Sequence, residues 1–96
     1  MGRDCTKIKA WQIADELALL VYKSTKKFPK SEIWGLTSQM RRAAVSVPAN
    51  IVEGSARKNR NEYLQFLYIA ISSLAELNYY IRFTKELGYL DTLRKV

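Results

Sequence analysis

The chain has 96 residues, enough for one modest hydrophobic core and too few for two, so it reads as a single domain over 1–96. Its 48% hydrophobic and 26% charged residues suit a folded globular chain and exclude one that stays disordered. Sixteen Lys and Arg against nine Asp and Glu leave a formal charge of +7, which favours anionic partners, while the absence of histidine and the single Cys5 exclude an internal disulfide and the commonest triad and zinc constellations.

Cys5 reads as a free surface thiol in a reducing compartment. The opening MGRDCTKIK has no apolar h-region, and even a longest apolar run such as Leu17 to Tyr22 falls far short of the roughly 20 residues that span a bilayer. A cytoplasmic location is expected, with no membrane partner.

Trp11, Ala14, Ala18, Val21, Thr25 and Phe28 recur at steps of three and four, with Ile13, Leu17 and Leu20 widening the stripe. This predicts an amphipathic helix over about 10–28, stopped at Pro29. A second periodic set, Leu36, Met40, Ala43, Val47 and Ile51, predicts a helix over about 35–54 that ends at Gly54. Pro48 lies inside it, where a missing amide and a ring pressed toward the Ala44 carbonyl predict a bend or a loosened turn, at about 3 kcal/mol.

Asn59 followed by Glu62 is a capping-box-like start for a third helix over about 60–87. Leu64, Leu67, Ile71, Leu74, Asn78 and Ile81 form one stripe of it; Tyr63, Phe66, Ala70, Leu77, Tyr80 and Phe83 form another. A helix apolar on two sides needs two partners. Lys85 suits the negative end of its dipole, Gly88 suits a left-handed cap, and Asp91 could open one further turn. The fold class is therefore all-α: an up-and-down antiparallel bundle of three long helices joined by short loops.

Three stretches, GLTSQMRRAAVSVPANIVEG, RKNRNEYLQFLYIAISSLAEL and ELGYL, resemble the four-helix-bundle family encoded by intervening sequences within bacterial 23S ribosomal RNA genes. The resemblance runs from near Trp11 through Leu90, and Gln39, Arg42, Ser46, Pro48, Ala49, Asn50, Ile51, Glu53 and Gly54 fall in order on the family's central motif. It implies a left-handed up-and-down bundle assembled as a ring-like homopentamer with a basic surface. The family is similar in turn to the accessory protein of diversity-generating retroelements, which binds nucleic acid and a reverse transcriptase. The sequence departs from the family after Leu90, where DTLRKV stands as a short C-terminal stub in place of the fourth helix. An uncovered apolar flank on the third helix would favour self-association, so a homo-oligomer is expected.

Candidate chemistry is sparse. Asp15 and Glu16 are neighbours on an amphipathic helix, and Glu53, Glu62 and Glu76 have local structural roles, so no enzyme activity, cofactor or metal is expected. Gln39, Arg42, Ser46, Asn50 and Glu53 share one face of the second helix and read as a buried polar seam before they read as a site. Asn50 and Glu53 could satisfy backbone groups freed at Pro48, and Arg42 could pair with Glu53 or Glu76.

The basic residues offer more. Arg57, Lys58 and Arg60 crowd one loop with Asn59 and Asn61, ahead of a helix N-terminus whose amides and dipole also favour phosphate. Lys23, Lys26, Lys27 and Lys30 gather where the first helix ends; there they complement the dipole, and Lys26, Lys27 and Lys30 are also candidates for phosphate contact. Up-down-up order puts the two clusters at opposite poles. Among the aromatics, Trp34, Tyr79 and Tyr89 read as partly exposed and the rest as packing residues. The function expected is a non-catalytic, oligomeric protein that binds structured RNA or DNA through phosphate contacts. The alternative is a protein-interaction scaffold engaging a polymerase or reverse-transcriptase-like partner.

Overall fold

The computed structural model describes residues 3–90, and the C-terminal stub expected over 91–96 lies outside them. Three α-helices dominate: α1 (Lys9–Thr25), α2 (Leu36–Ser55) and α3 (Arg60–Glu86), with short 3-10 turns at Cys5–Lys7 and Lys30–Glu32. They form a rod of 44 × 21 × 18 Å. Helix α2 is central: α1 and α3 pack mainly against it and less against each other.

The termini of the rod follow from two long-range latches. The Arg3 amide donates to the Ser55 carbonyl at 2.7 Å, tying the start of the chain to the end of α2. At the other end the Tyr89 hydroxyl donates to Glu32 at 3.3 Å, and the Tyr89 and Phe28 rings meet at 5.5 Å between centroids.

Helix ends are set by specific chemistry. Asn59 Oδ1 accepts from the amides of Asn61 and Glu62, as expected of a cap, while no reciprocal bond from Glu62 closes the box among the described residues. Gly88 is left-handed at φ 81°, with Tyr89 N–H bonding the Thr84 carbonyl and Gly88 N–H bonding that of Lys85, the paired pattern of a Schellman stop. Two expectations are corrected. Helix α1 ends at Thr25, before Phe28, which is buried in the core; a residue preceding proline is disfavoured in helical geometry, so the helix could not have run on through Phe28 to Pro29. Gly54 does not stop α2, which continues through Ser55; a Cβ there would stand 2.9 Å from the Phe66 Cβ, so glycine permits α2 and α3 to approach.

The core has two parts. Val21, Met40, Ala43, Ala44, Leu77 and Leu90 fill one; Ala14, Val47, Ile51 and Ala70 fill the other. Alanines at the helix crossings keep the axes close, and larger side chains interdigitate around them. The deep face of α3 is Ala70, Ser73, Leu77 and Thr84, whereas on its other stripe Ile71 is 61% exposed. Ile13 of α1, expected to widen the buried stripe, is 56% exposed across from it. Both lie on a flank of the rod that these three helices leave open.

Helix α2 runs unbroken through Pro48, which is buried beside Ala44. The small side chains of that turn relieve the crowding that the proline ring imposes on the preceding turn.

Candidate functional site

The first pole collects the N-terminal segment, the α2–α3 loop and the start of α3. Lys58 and Arg60 are exposed and meet no carboxylate among the described residues. Arg57 differs: its guanidinium pairs with Glu53 at 3.1 Å and lies over the Phe66 ring at 4.9 Å, and its Nε is buried without a partner. It holds the loop to the end of α2. A cation missed in the sequence, Arg3, joins this pole by stacking on the Tyr63 ring at 3.9 Å and donating to the Arg57 carbonyl at 3.0 Å. The residues are 54 positions apart, so no local pattern could have paired them. The Asn59 side chain takes the Asn61 and Glu62 amides, so donors expected to face a phosphate are already used and any anion contact here rests on side chains.

The opposite pole holds Lys23, Lys26, Lys27 and Lys30, all exposed. Beside them is a cleft of about 380 Å³ lined by Tyr22, Ile33, Trp34, Ser38 and Arg41 among others. Trp34 is 89% exposed, well beyond the partial exposure expected. Arg41, which the sequence did not single out, is fixed from behind: Nε donates to the Thr25 hydroxyl at 2.8 Å, Nη2 donates to the Tyr22 carbonyl at 3.4 Å, and the guanidinium lies 4.8 Å from the Tyr22 ring. The Thr25 hydroxyl donates in turn to the Val21 carbonyl, so a buried residue of α1 positions a cation of α2.

Between the poles, the polar line of α2 faces α3. Arg42 bonds Gln39 at 3.2 Å and pairs with Glu76 at 2.6 Å; Ser46 and Ser73 share a hydroxyl bond at 2.8 Å; Asn50 donates to the Ser46 carbonyl at 2.7 Å. Of the two partners open to Arg42, Glu76 takes it, and Glu53 turns to Arg57. The line is not fully buried as expected: Ser46 and Asn50 are half-buried, and Gln39, Arg42 and Glu53 are exposed. Asn50 does bond the backbone near Pro48, at Ser46; the carbonyl that loses a donor to the proline belongs to Ala44.

Burial first, then its bond to Glu76, raises the Tyr80 phenol above its ordinary pKa, with Arg42 acting in the opposite sense. Tyr89 is raised likewise, by desolvation first and the Glu32 carboxylate second.

On the open flank an apolar groove of about 440 Å³ runs between α1 and α3 over the floor of α2, lined by Ile13, Leu17, Val47, Ile51, Leu67 and Ile71 among others. Among the described residues no three acidic, cysteine or histidine side chains stand close enough to hold a metal, and no helix is long and apolar enough to cross a membrane.

Fold and surface together define a basic, rod-shaped helical bundle protein with charged ends and an apolar flank left open among the described residues. The family described as 23S rRNA-intervening sequence protein matches residues 6–95, and the chain belongs to that family. No curated protein matches it.

Proposed function

We propose that this is a non-catalytic, oligomeric, cytoplasmic protein that binds nucleic acid, structured RNA or DNA, through phosphate contacts at the ends of its rod. The observation that carries the reading is the exposed pair Lys58 and Arg60, which meet no carboxylate among the described residues. Surface cations without an internal partner remain available to phosphate, where each contact releases a condensed counterion. The net charge of +7 and the family's tie to 23S rRNA intervening sequences support the same reading.

The test is fluorescence anisotropy with labelled structured RNA, duplex DNA and single strands over a salt series. The double variant Lys58→Ser, Arg60→Ser is the comparison, chosen because both side chains are exposed, whereas Arg57 holds Glu53 and Phe66. Tight binding that weakens steeply with salt, with a log–log slope reduced by about 0.9 for each phosphate contact removed, supports the proposal. Equally weak binding by both proteins sinks it.

The assembled form proposed is a homo-oligomer, the ring-like pentamer that the family resemblance implies, supported by the apolar groove between α1 and α3. A ring would gather the basic poles into a crown able to hold several phosphates at once. Light scattering on the purified protein tests the mass. The same groove favours a second reading, a scaffold that receives a helix of a polymerase or reverse-transcriptase-like partner. Strong capture of such a partner with only weak, unselective nucleic-acid binding would establish it over the first.

A further inference from the structure

The α1–α3 groove, the first basic pole and the Trp34 cleft are the three features of the molecule that internal packing leaves unexplained. The groove carries nothing beyond the self-association already proposed, and the first pole belongs to the phosphate contacts. The cleft is different in kind.

Trp34 follows the Lys30–Glu32 turn and presents almost its whole indole to solvent, next to Ile33, itself 52% exposed. Desolvated aromatic area stabilises a fold, so a tryptophan left outside does nothing for this one. Arg41 shares the cleft, and its bonds use Nε and Nη2, leaving Nη1 without a partner among the described residues. Thr37, only 5% exposed, contributes to the floor of the cleft, with its own hydroxyl buried. Lys26, the residue that caps the end of α1, follows Tyr22 by four positions, and no carboxylate lines the cleft.

An exposed aromatic plate, a fixed guanidinium with a free Nη1 and the nearby Lys26 ammonium are complementary to one ligand class: a nucleobase stacked by its face, with its phosphate held at the rim. The cleft suits a helical protein partner less well. Such a partner needs an apolar groove spanning several turns, and here guanidinium and hydroxyl groups interrupt the walls.

We infer that the Tyr22–Trp34–Arg41 cleft is a stacking site for an unpaired base of single-stranded nucleic acid, at the pole opposite Lys58 and Arg60. Bases inside a duplex cannot offer their faces, so the site selects strands with unstacked nucleotides, such as loops, bulges or ends. The inference rests on the nucleic-acid reading and adds to it a substrate class.

The experiment measures the anisotropy of a short unstructured single strand and of a duplex of the same length, at one low salt concentration, against the parent and the variants Trp34→Ala, Trp34→Phe and Lys58→Ser, Arg60→Ser. Quenching of tryptophan emission on titration is followed in the parent and in Trp34→Phe, which keeps Trp11 as an internal control. The expected result is about tenfold weaker single-strand binding in Trp34→Ala, the order of one base–aromatic stack, with duplex binding unchanged, an intermediate loss in Trp34→Phe, and quenching that disappears with Trp34. If Trp34→Ala keeps its single-strand affinity while the Lys58→Ser, Arg60→Ser variant loses it, the stacking site is overturned and the nucleic-acid reading stands. If neither strand binds the parent, both are overturned. A drop in oligomeric mass in Trp34→Ala without loss of affinity would also overturn the inference, assigning the indole to contact between copies of the chain.

Discussion

The two flanks of α3 are built on different principles. Toward α2 the helix is held by a deep line of Ala70, Ser73, Leu77 and Thr84, edged by the Ser46–Ser73 and Arg42–Glu76 contacts. Toward α1 it shows Leu67 and Ile71 across a groove without a polar rung. Directional bonds fix the register of the first flank, because a shift along the helix would unpair several of them together. The second flank carries only non-directional attraction, which rewards any apolar surface of suitable shape. One side of α3 is specified by contacts within the bundle; the other carries no such specification among the described residues.

That contrast breaks most visibly at its filled side. Leu77→Ala removes a fully buried side chain from the larger core cluster and should cost about 2–5 kcal/mol, read as a fall in the denaturation midpoint with little change in slope. Gly54→Ala should cost about 1–3 kcal/mol, since its methyl must displace Phe66 and Tyr63 where α2 and α3 come closest. On the open flank the ordering reverses. Ile71→Ser should change the stability of the isolated protomer by no more than about 0.5 kcal/mol, yet shift the mass seen by light scattering toward the monomer. An Ile71→Ser protein with parent-like mass would mean that the groove is not the surface of association.

The smallest effect is expected with pH. The Tyr80 and Tyr89 phenols have raised pKa values, so the folded state holds their protons more tightly than the unfolded chain does. Their contribution is fully present below pH about 10 and is lost as pH rises through the folded values. Thermal melts of Tyr89→Phe should therefore show a shallower alkaline decline than those of the parent.

Periodicity in the sequence alone marks the three helices, their order and most of their inward faces. Steps of three and four found Ala14, Ala18, Val21 and Thr25 on α1 and Met40, Ala43, Val47 and Ile51 on α2, because a helix that buries one face must repeat that way. What the pattern could not weigh was how much cover each stripe receives. Ile13 and Ile71 match the buried period and lie outside because no element among the described residues reaches them. Gly54 carried an ambiguous signal, since glycine marks both helix stops and close approaches, and only the position of Phe66 decides between them. The basic loop was visible as a cluster, but Arg57's engagement by Glu53 and Phe66, and the arrival of Arg3 and Arg41, depend on tertiary contacts that no local window contains.

Because α2 lies between its neighbours in both sequence and space, most contacts in this rod join segments that the chain connects with a short loop. Little loop-closure entropy opposes such pairing, which places the protein among topologies that fold in microseconds to milliseconds. During synthesis, at roughly 5–20 residues per second, the α1–α2 hairpin has time to form before α3 has emerged. The hydrogen bonds of greatest sequence separation among the described residues are Arg3 with Arg57 and Tyr89 with Glu32, 54 and 57 positions apart. Few other long-range bonds hold these regions, and amide exchange at the two ends of the rod should outpace exchange at its middle.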